Sequence, residues 1–91
     1  MAKVIVTLKV NLESPETNIE KVKAKVTEMI TSFDGDVGKV EVEEVAFGLK
    51  AIKFFFILDE SRGSTESLEN DIEDLEEVSS VEITDVRRAV G

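Results

Sequence analysis

Cysteine, histidine, tryptophan and tyrosine are all missing from this chain, and proline occurs once, at Pro15. Without cysteine there are no disulfides and no thiolate zinc site, and nothing points to secretion. Losing histidine and cysteine together removes the commonest general base and the best nucleophile. Any chemistry of its own would have to run on carboxylates, lysines or hydroxyls. No apolar run approaches the roughly 20 residues that cross a bilayer. Val4-Ile5-Val6, straight after Met1-Ala2-Lys3, is too short for a signal sequence. The expected address is the cytoplasm, with no membrane partner.

Positive charge is also scarce. Eleven Lys and Arg stand against 20 Asp and Glu, a formal charge of −9, and no basic cluster exceeds two residues. Nucleic-acid binders need Lys or Arg at each phosphate contact and carry a clear basic patch, so direct binding to RNA or DNA is not expected. What is there suits a folded domain: 42% hydrophobic and 34% charged residues over a length of 91 read as a single soluble domain, residues 1–91.

Hydrophobic spacing gives the elements. Val4, Val6, Leu8 and Val10 alternate with Lys3, Ile5, Thr7 and Lys9, the pattern of a half-buried strand. Ile19, Val22, Val26, Met29, Ile30 and Phe33 fall on one helical stripe. Asn18 is the expected N-cap, with Ser14-Pro15 as a competing earlier start. Asp34-Gly35-Asp36 stops this helix, with glycine taking the left-handed turn. Val37 to Phe47 reads as a second strand whose parity changes between Val42 and Val45, so a bulge is expected near Glu43-Glu44. Gly48 supplies a turn, and Leu49 to Leu58 returns with Ile52, Phe54, Phe56 and Leu58 inward and Lys53 and Phe55 outward. After the polar loop Asp59–Gly63, Ser64 or Thr65 caps a second helix carrying Leu68, Ile72 and Leu75, followed by Val78. Val81 and Ile83 open a last strand whose alternation slips near Thr84-Asp85. The order β-α-β-β-α-β predicts an α+β, ferredoxin-like split sandwich: a four-stranded antiparallel sheet with two helices on one face. That architecture hosts many functions and decides none.

Two short segments stand apart. One is the turn Glu44-Val45-Ala46-Phe47-Gly48-Leu49-Lys50, which joins two strands through an aromatic and a glycine. The other is the tail Ile83-Thr84-Asp85-Val86-Arg87-Arg88-Ala89-Val90-Gly91, with two adjacent arginines in an otherwise acidic chain. On their residues alone, Phe47 is an aromatic plug over the core or an exposed contact, and Arg87 and Arg88 are solvated charges or anion ligands. With Asp59-Glu60-Ser61-Arg62-Gly63-Ser64 between them, these segments resemble the guanine-nucleotide exchange domain of the elongation factor 1-beta family, in its short archaeal form. The resemblance covers the whole chain. It implies exchange of GDP for GTP on elongation factor 1-alpha as partner, through coupling rather than bond chemistry, so the expectation is a protein that is not an enzyme, with no catalytic residue, metal or cofactor of its own. The free protein is expected to be a monomer. It also implies that Phe47 and Gly48 pack against the GTPase, with Lys50 at the rim. Eukaryotic members end in a lysine that enters the GTPase's phosphate and Mg²⁺ site, at a position that aligns best with Arg88. The pair Arg87-Arg88 departs from that single lysine, and the Mg²⁺ belongs to the partner.

The remaining motifs carry less. Phe54-Phe55-Phe56 superficially suggests an RNA-stacking sheet, but two of the rings share the core face and the charge is wrong. The second helix and the turn after it carry Glu66, Glu69, Asp71, Glu73, Asp74, Glu76 and Glu77, a solvated face or a means of steering a basic partner. Asp34-Gly35-Asp36 lacks the further ligands of a Ca²⁺ loop, and no Gly-rich phosphate loop is present. The alternative function is a small-molecule-binding or regulatory ferredoxin-like domain, which would use the open sheet face or helix edges and not the terminal arginines.

Overall fold

The structure, a computed structural model, describes residues 2–89. Val90 and Gly91 of the tail lie outside the described residues. Four strands, β1 (Lys3–Leu12), β2 (Asp36–Glu44), β3 (Lys50–Asp59) and β4 (Val78–Ala89), and two helices, α1 (Ile19–Ser32) and α2 (Glu66–Glu73), follow one another as β1-α1-β2-β3-α2-β4. The sheet runs β2-β3-β1-β4, and β1–β3, β1–β4 and β2–β3 all pair antiparallel. This is the expected ferredoxin-like α+β fold.

Alternation decides what is buried. Val6, Leu8 and Val10 of β1 and Ile52, Phe54, Phe56 and Leu58 of β3 face the helices and are almost wholly buried. Against them α1 lays Val22, Val26 and Ile30, one residue per turn, and α2 lays Leu68 and Ile72. Burying side chains of this size contributes roughly 1.5–3 kcal/mol each, which makes this layer the main source of stability. Asn18 caps α1 by accepting a hydrogen bond from the Lys21 amide at 3.2 Å. Ser14 instead forms a separate small turn, accepting from the Glu16 amide.

Four local expectations change. At the end of α1 the left-handed residue is Asp34, with φ 70°, a conformation that aspartate tolerates better than most residues. Gly35 is required by space: a Cβ there would lie 2.6 Å from Ile30 Cγ2 and 3.2 Å from the Phe56 ring. Strand β2 ends at Glu44 and has no bulge at Glu43-Glu44. Its irregularity falls between Val37 and Lys39, and the parity change at Val45 arises because the chain leaves the sheet there. Helix α2 stops at Glu73 and β4 already begins at Val78, so Leu75 lies in the connecting turn. Carboxylates crowd that helix end (Glu73, Asp74, Glu76, Glu77), where the helix dipole disfavours negative charge.

The slip near Thr84-Asp85 is present. Thr7 pairs with Asp85 and Leu8 with Ile83, leaving Thr84 as the extra residue of a bulge. That bulge sets the facing of everything after it. Cross-strand partners share a face; Arg88 lies opposite Val4 and Val86 opposite Val6, on the helix side, while Arg87 lies opposite Ile5 on the open side.

Candidate functional site

The turn is a protruding tip. Val45 N–H donates to the Leu49 carbonyl at 2.8 Å and Leu49 N–H to the Ala46 carbonyl at 3.1 Å, closing a tight loop. Inside it Phe47 (φ 60°) and Gly48 (φ 77°) are both left-handed. Glycine takes this without cost, whereas a phenylalanine there is strained by about 1 kcal/mol. Phe47 is 95% exposed, so the core-plug alternative fails: the ring touches almost nothing in its own protein. Val42 and Val45 at the same hairpin end are also exposed. Lys50, half-buried, starts β3 opposite Glu44.

The tail is strand to its last described residue. Because successive strand residues alternate, the two arginines diverge. On the open face Arg87 Nε donates to Asp85 Oδ2 at 2.8 Å. On the helix-side face Arg88 Nη2 donates to Glu60 Oε2 at 2.8 Å. Both guanidinium groups remain largely exposed.

The Asp59–Gly63 loop packs beside Arg88, not beside the turn. Asp59 Oδ1 accepts from the Ser61 hydroxyl at 2.7 Å and from the Ser61 amide at 2.9 Å. Those hydrogen bonds, with Lys3 nearby, hold the Asp59 carboxyl below the usual carboxylate range. Arg62 lies over the Phe33 ring at 4.0 Å, donates from Nε to the Phe33 carbonyl at 3.1 Å, and pairs with Asp34 at 3.6 Å. It thereby ties the loop to the end of α1.

Turn and tail sit at opposite ends of the sheet. Lys50, next to the turn, and Asp59, next to the tail, bound the ten-residue β3, which at roughly 3.3 Å per residue spans about 30 Å. The structure therefore gathers Phe47, Gly48 and Lys50 at one end and Arg87 and Arg88 at the other, with the buried layer between them. Sequence reasoning missed Glu60 as the partner of Arg88 and Arg62 as the anchor of the loop. The acidic-basic character of the segment was visible, but its partners depend on strand register.

The open face is balanced and internally paired. Glu43 bridges Lys53 at 2.9 Å and Lys9 at 3.6 Å. The Lys53 hydrogen bond lowers the Glu43 carboxyl, and Glu43 in turn raises the Lys53 ammonium. Phe55 stands on this face under Lys39, 5.4 Å from ring centre to Nζ, while Phe54 and Phe56 are fully buried. One aromatic makes a poor stacking platform for bases. Among the described residues no three acidic side chains converge as metal ligands, and no helix is long and apolar enough to cross a membrane.

Comparison with known proteins bears on both fold and family. Among solved structures, the ACT domain from the GTP pyrophosphokinase of Chlorobium tepidum superposes with a TM-score of 0.60 at 15% identity, covering 89% of this chain and 97% of that one. The chemotaxis kinase CheA P2 domain from Thermotoga maritima, solved in complex with CheY, superposes at 0.63 and 11%, covering 98% and 100%. At such identities the likeness shows the ferredoxin-like fold alone. Sequence goes further. The model of the EF-1 guanine nucleotide exchange domain matches residues 5–89. Elongation factor 1-beta of Methanobrevibacter smithii is 41% identical over 88 residues, 97% of this chain and 98% of that protein. Those of Methanocaldococcus jannaschii and Staphylothermus marinus are each 38% identical over 89 residues, covering 98% and 97% of this chain and 100% and 98% of theirs. The ligand-binding alternative is not favoured by these relatives. The chain belongs to the EF-1 guanine nucleotide exchange family, and its role is guanine-nucleotide exchange in translation elongation.

Proposed function

We propose that this protein acts on elongation factor 1-alpha by holding it at two points, one at each end of the sheet. The observation that carries this is the separation itself: an exposed, strained aromatic at one end and exposed arginines about 30 Å away at the other. Phe47, framed by Gly48 and Lys50, docks against one part of the GTPase as an apolar anchor, the kind of residue that dominates interface energies. Arg88, with Arg87 on the other face, addresses the anionic end, where a GTPase holds nucleotide phosphates and Mg²⁺. A cation placed there competes for those phosphates, so factor and nucleotide weaken each other's binding reciprocally.

No bond is made or broken by this chain, and it needs no cofactor of its own. It works as one domain, in the cytoplasm, as a monomer when free, without direct contact to nucleic acid. The acidic surface of α2 and its following turn steers encounter and takes no part in release. The test is release of a fluorescent GDP analogue from archaeal elongation factor 1-alpha with catalytic amounts of this protein and excess unlabelled GDP. A large acceleration that saturates with factor is expected. No acceleration, with folded factor and active GTPase, overturns the proposal.

A further inference from the structure

Glu60 and Arg88 are 28 positions apart, yet their side chains meet at 2.8 Å on the helix-side face. The two partners are held very differently. Glu60 belongs to a loop fixed at several points: its N–H donates to the Ala2 carbonyl at 3.0 Å, and its carbonyl accepts from Gly63 at 3.4 Å. Asp59 before it is locked onto Ser61, and Arg62 after it is clamped on Phe33. Arg88 lies near the end of an edge strand, on a long flexible side chain beside the exposed Val86. The anchored loop backbone therefore presents the half-exposed Glu60 carboxylate where the long Arg88 side chain can reach it.

We propose that Glu60 is a positioning residue for Arg88, an internal counter-ion that holds the guanidinium in the free factor and is displaced by the GTPase's phosphate site. The inference rests on the two-point reading above. An exposed pair of this kind shifts an equilibrium by only about two- to five-fold, too little to serve as a staple of the fold but suited to a contact opened in every cycle. Once the factor has docked through its turn, Arg88 must leave Glu60 before it can reach an anion. The pair stabilises the state before insertion and not the state after it, so it adds to the barrier of the step that expels GDP. While closed, it also neutralises an arginine that would otherwise bind free phosphates.

The test compares Glu60→Gln, Arg88→Gln and the double variant by the saturating rate of GDP release and the factor concentration at half-saturation. Glutamine keeps the shape of Glu60 and removes its charge. Glu60→Gln is expected to raise the saturating rate roughly two- to five-fold with half-saturation unchanged. A damaged loop would not speed release, so a gain separates positioning from structure. In the Arg88→Gln background the gain should vanish. If Glu60→Gln is silent or slower, or gains equally without Arg88, the counter-ion role is wrong. If Arg88→Gln itself leaves release untouched, the two-point reading falls and takes this proposal with it.

Discussion

Replacing Phe47 by alanine separates docking from folding, because the two depend on different surroundings of one ring. In the free protein Phe47 is 95% exposed, so truncation removes almost no internal packing. Its backbone sits at φ 60°, equally unfavourable for alanine, so the folding free energy should change by less than about 0.5 kcal/mol. For a domain of this size that is within roughly 4 °C in Tm. In the complex the ring would bury about 150 Å² of apolar surface, worth up to ~4 kcal/mol at 25 cal/mol/Å². Alanine keeps part of that contact and spares the cost of immobilising the ring, leaving a loss of about 2 kcal/mol, or ~30-fold in affinity. The assay is GDP release at increasing factor concentration, paired with a thermal melt. Half-saturation should move up ~30-fold while the saturating rate holds. A large fall in Tm would mean the ring packs internally. An unchanged half-saturation would mean the tip is no anchor. Phe47→Gly adds a control on the backbone: it should raise Tm, since glycine relieves about 1 kcal/mol of left-handed strain, while docking weakens as for alanine.

Arg88→Ala should lower the saturating rate of GDP release at least tenfold with little change in half-saturation, whereas Arg87→Ala, on the opposite face, should cost less; equal and small effects would remove the insertion step. Gly35→Ala should lower Tm by roughly 5–15 °C, because its Cβ meets Ile30 Cγ2 at 2.6 Å; a melt within 2 °C of wild type would refute that packing. The pH dependence has a definite sign. Glu43, Asp59 and Glu77 have lowered carboxyl pKa values, through hydrogen bonds from Lys53, Ser61 and Lys25 respectively. Their stabilisation is present above the unfolded values near 4 and is lost as pH falls through the lower folded ones. The measurement is therefore Tm against pH for wild type and Glu43→Gln: the variant should fall less steeply below about pH 4. The raised Lys53 works in the other direction, its contribution persisting until pH rises past roughly 10.4.

Much of this was legible because it follows from alternation. The inward faces of β1 and β3 and the stripe of α1 were plain in the spacing, and so was the slip at Thr84-Asp85, where Ile83 and Val86 fall out of phase. What stayed hidden involves residues whose neighbours are set by pairing. Phe47 looked like a continuing strand because parity cannot tell a bulge from a chain that has left the sheet. Arg87 and Arg88 read only as adjacent charges, solvated or anion-binding. Their division between two faces needs the strand to continue past the bulge, and the contact of Arg88 with Glu60 needs β1 to lie between β3 and β4. Gly35 was legible as a helix stop, but its reason lies in the close approach of Ile30 and Phe56, which only packing shows.

The most direct test of two-point contact is to titrate isotope-labelled factor with nucleotide-free elongation factor 1-alpha and follow its amide resonances. The account predicts changes in two separate places, Val45 to Lys50 at one end and Glu60, Arg87 and Arg88 at the other. The exposed face of α2 should stay unperturbed. Changes confined to one end, or centred on Lys53, Phe55 and Ile57 of the open face, would contradict it.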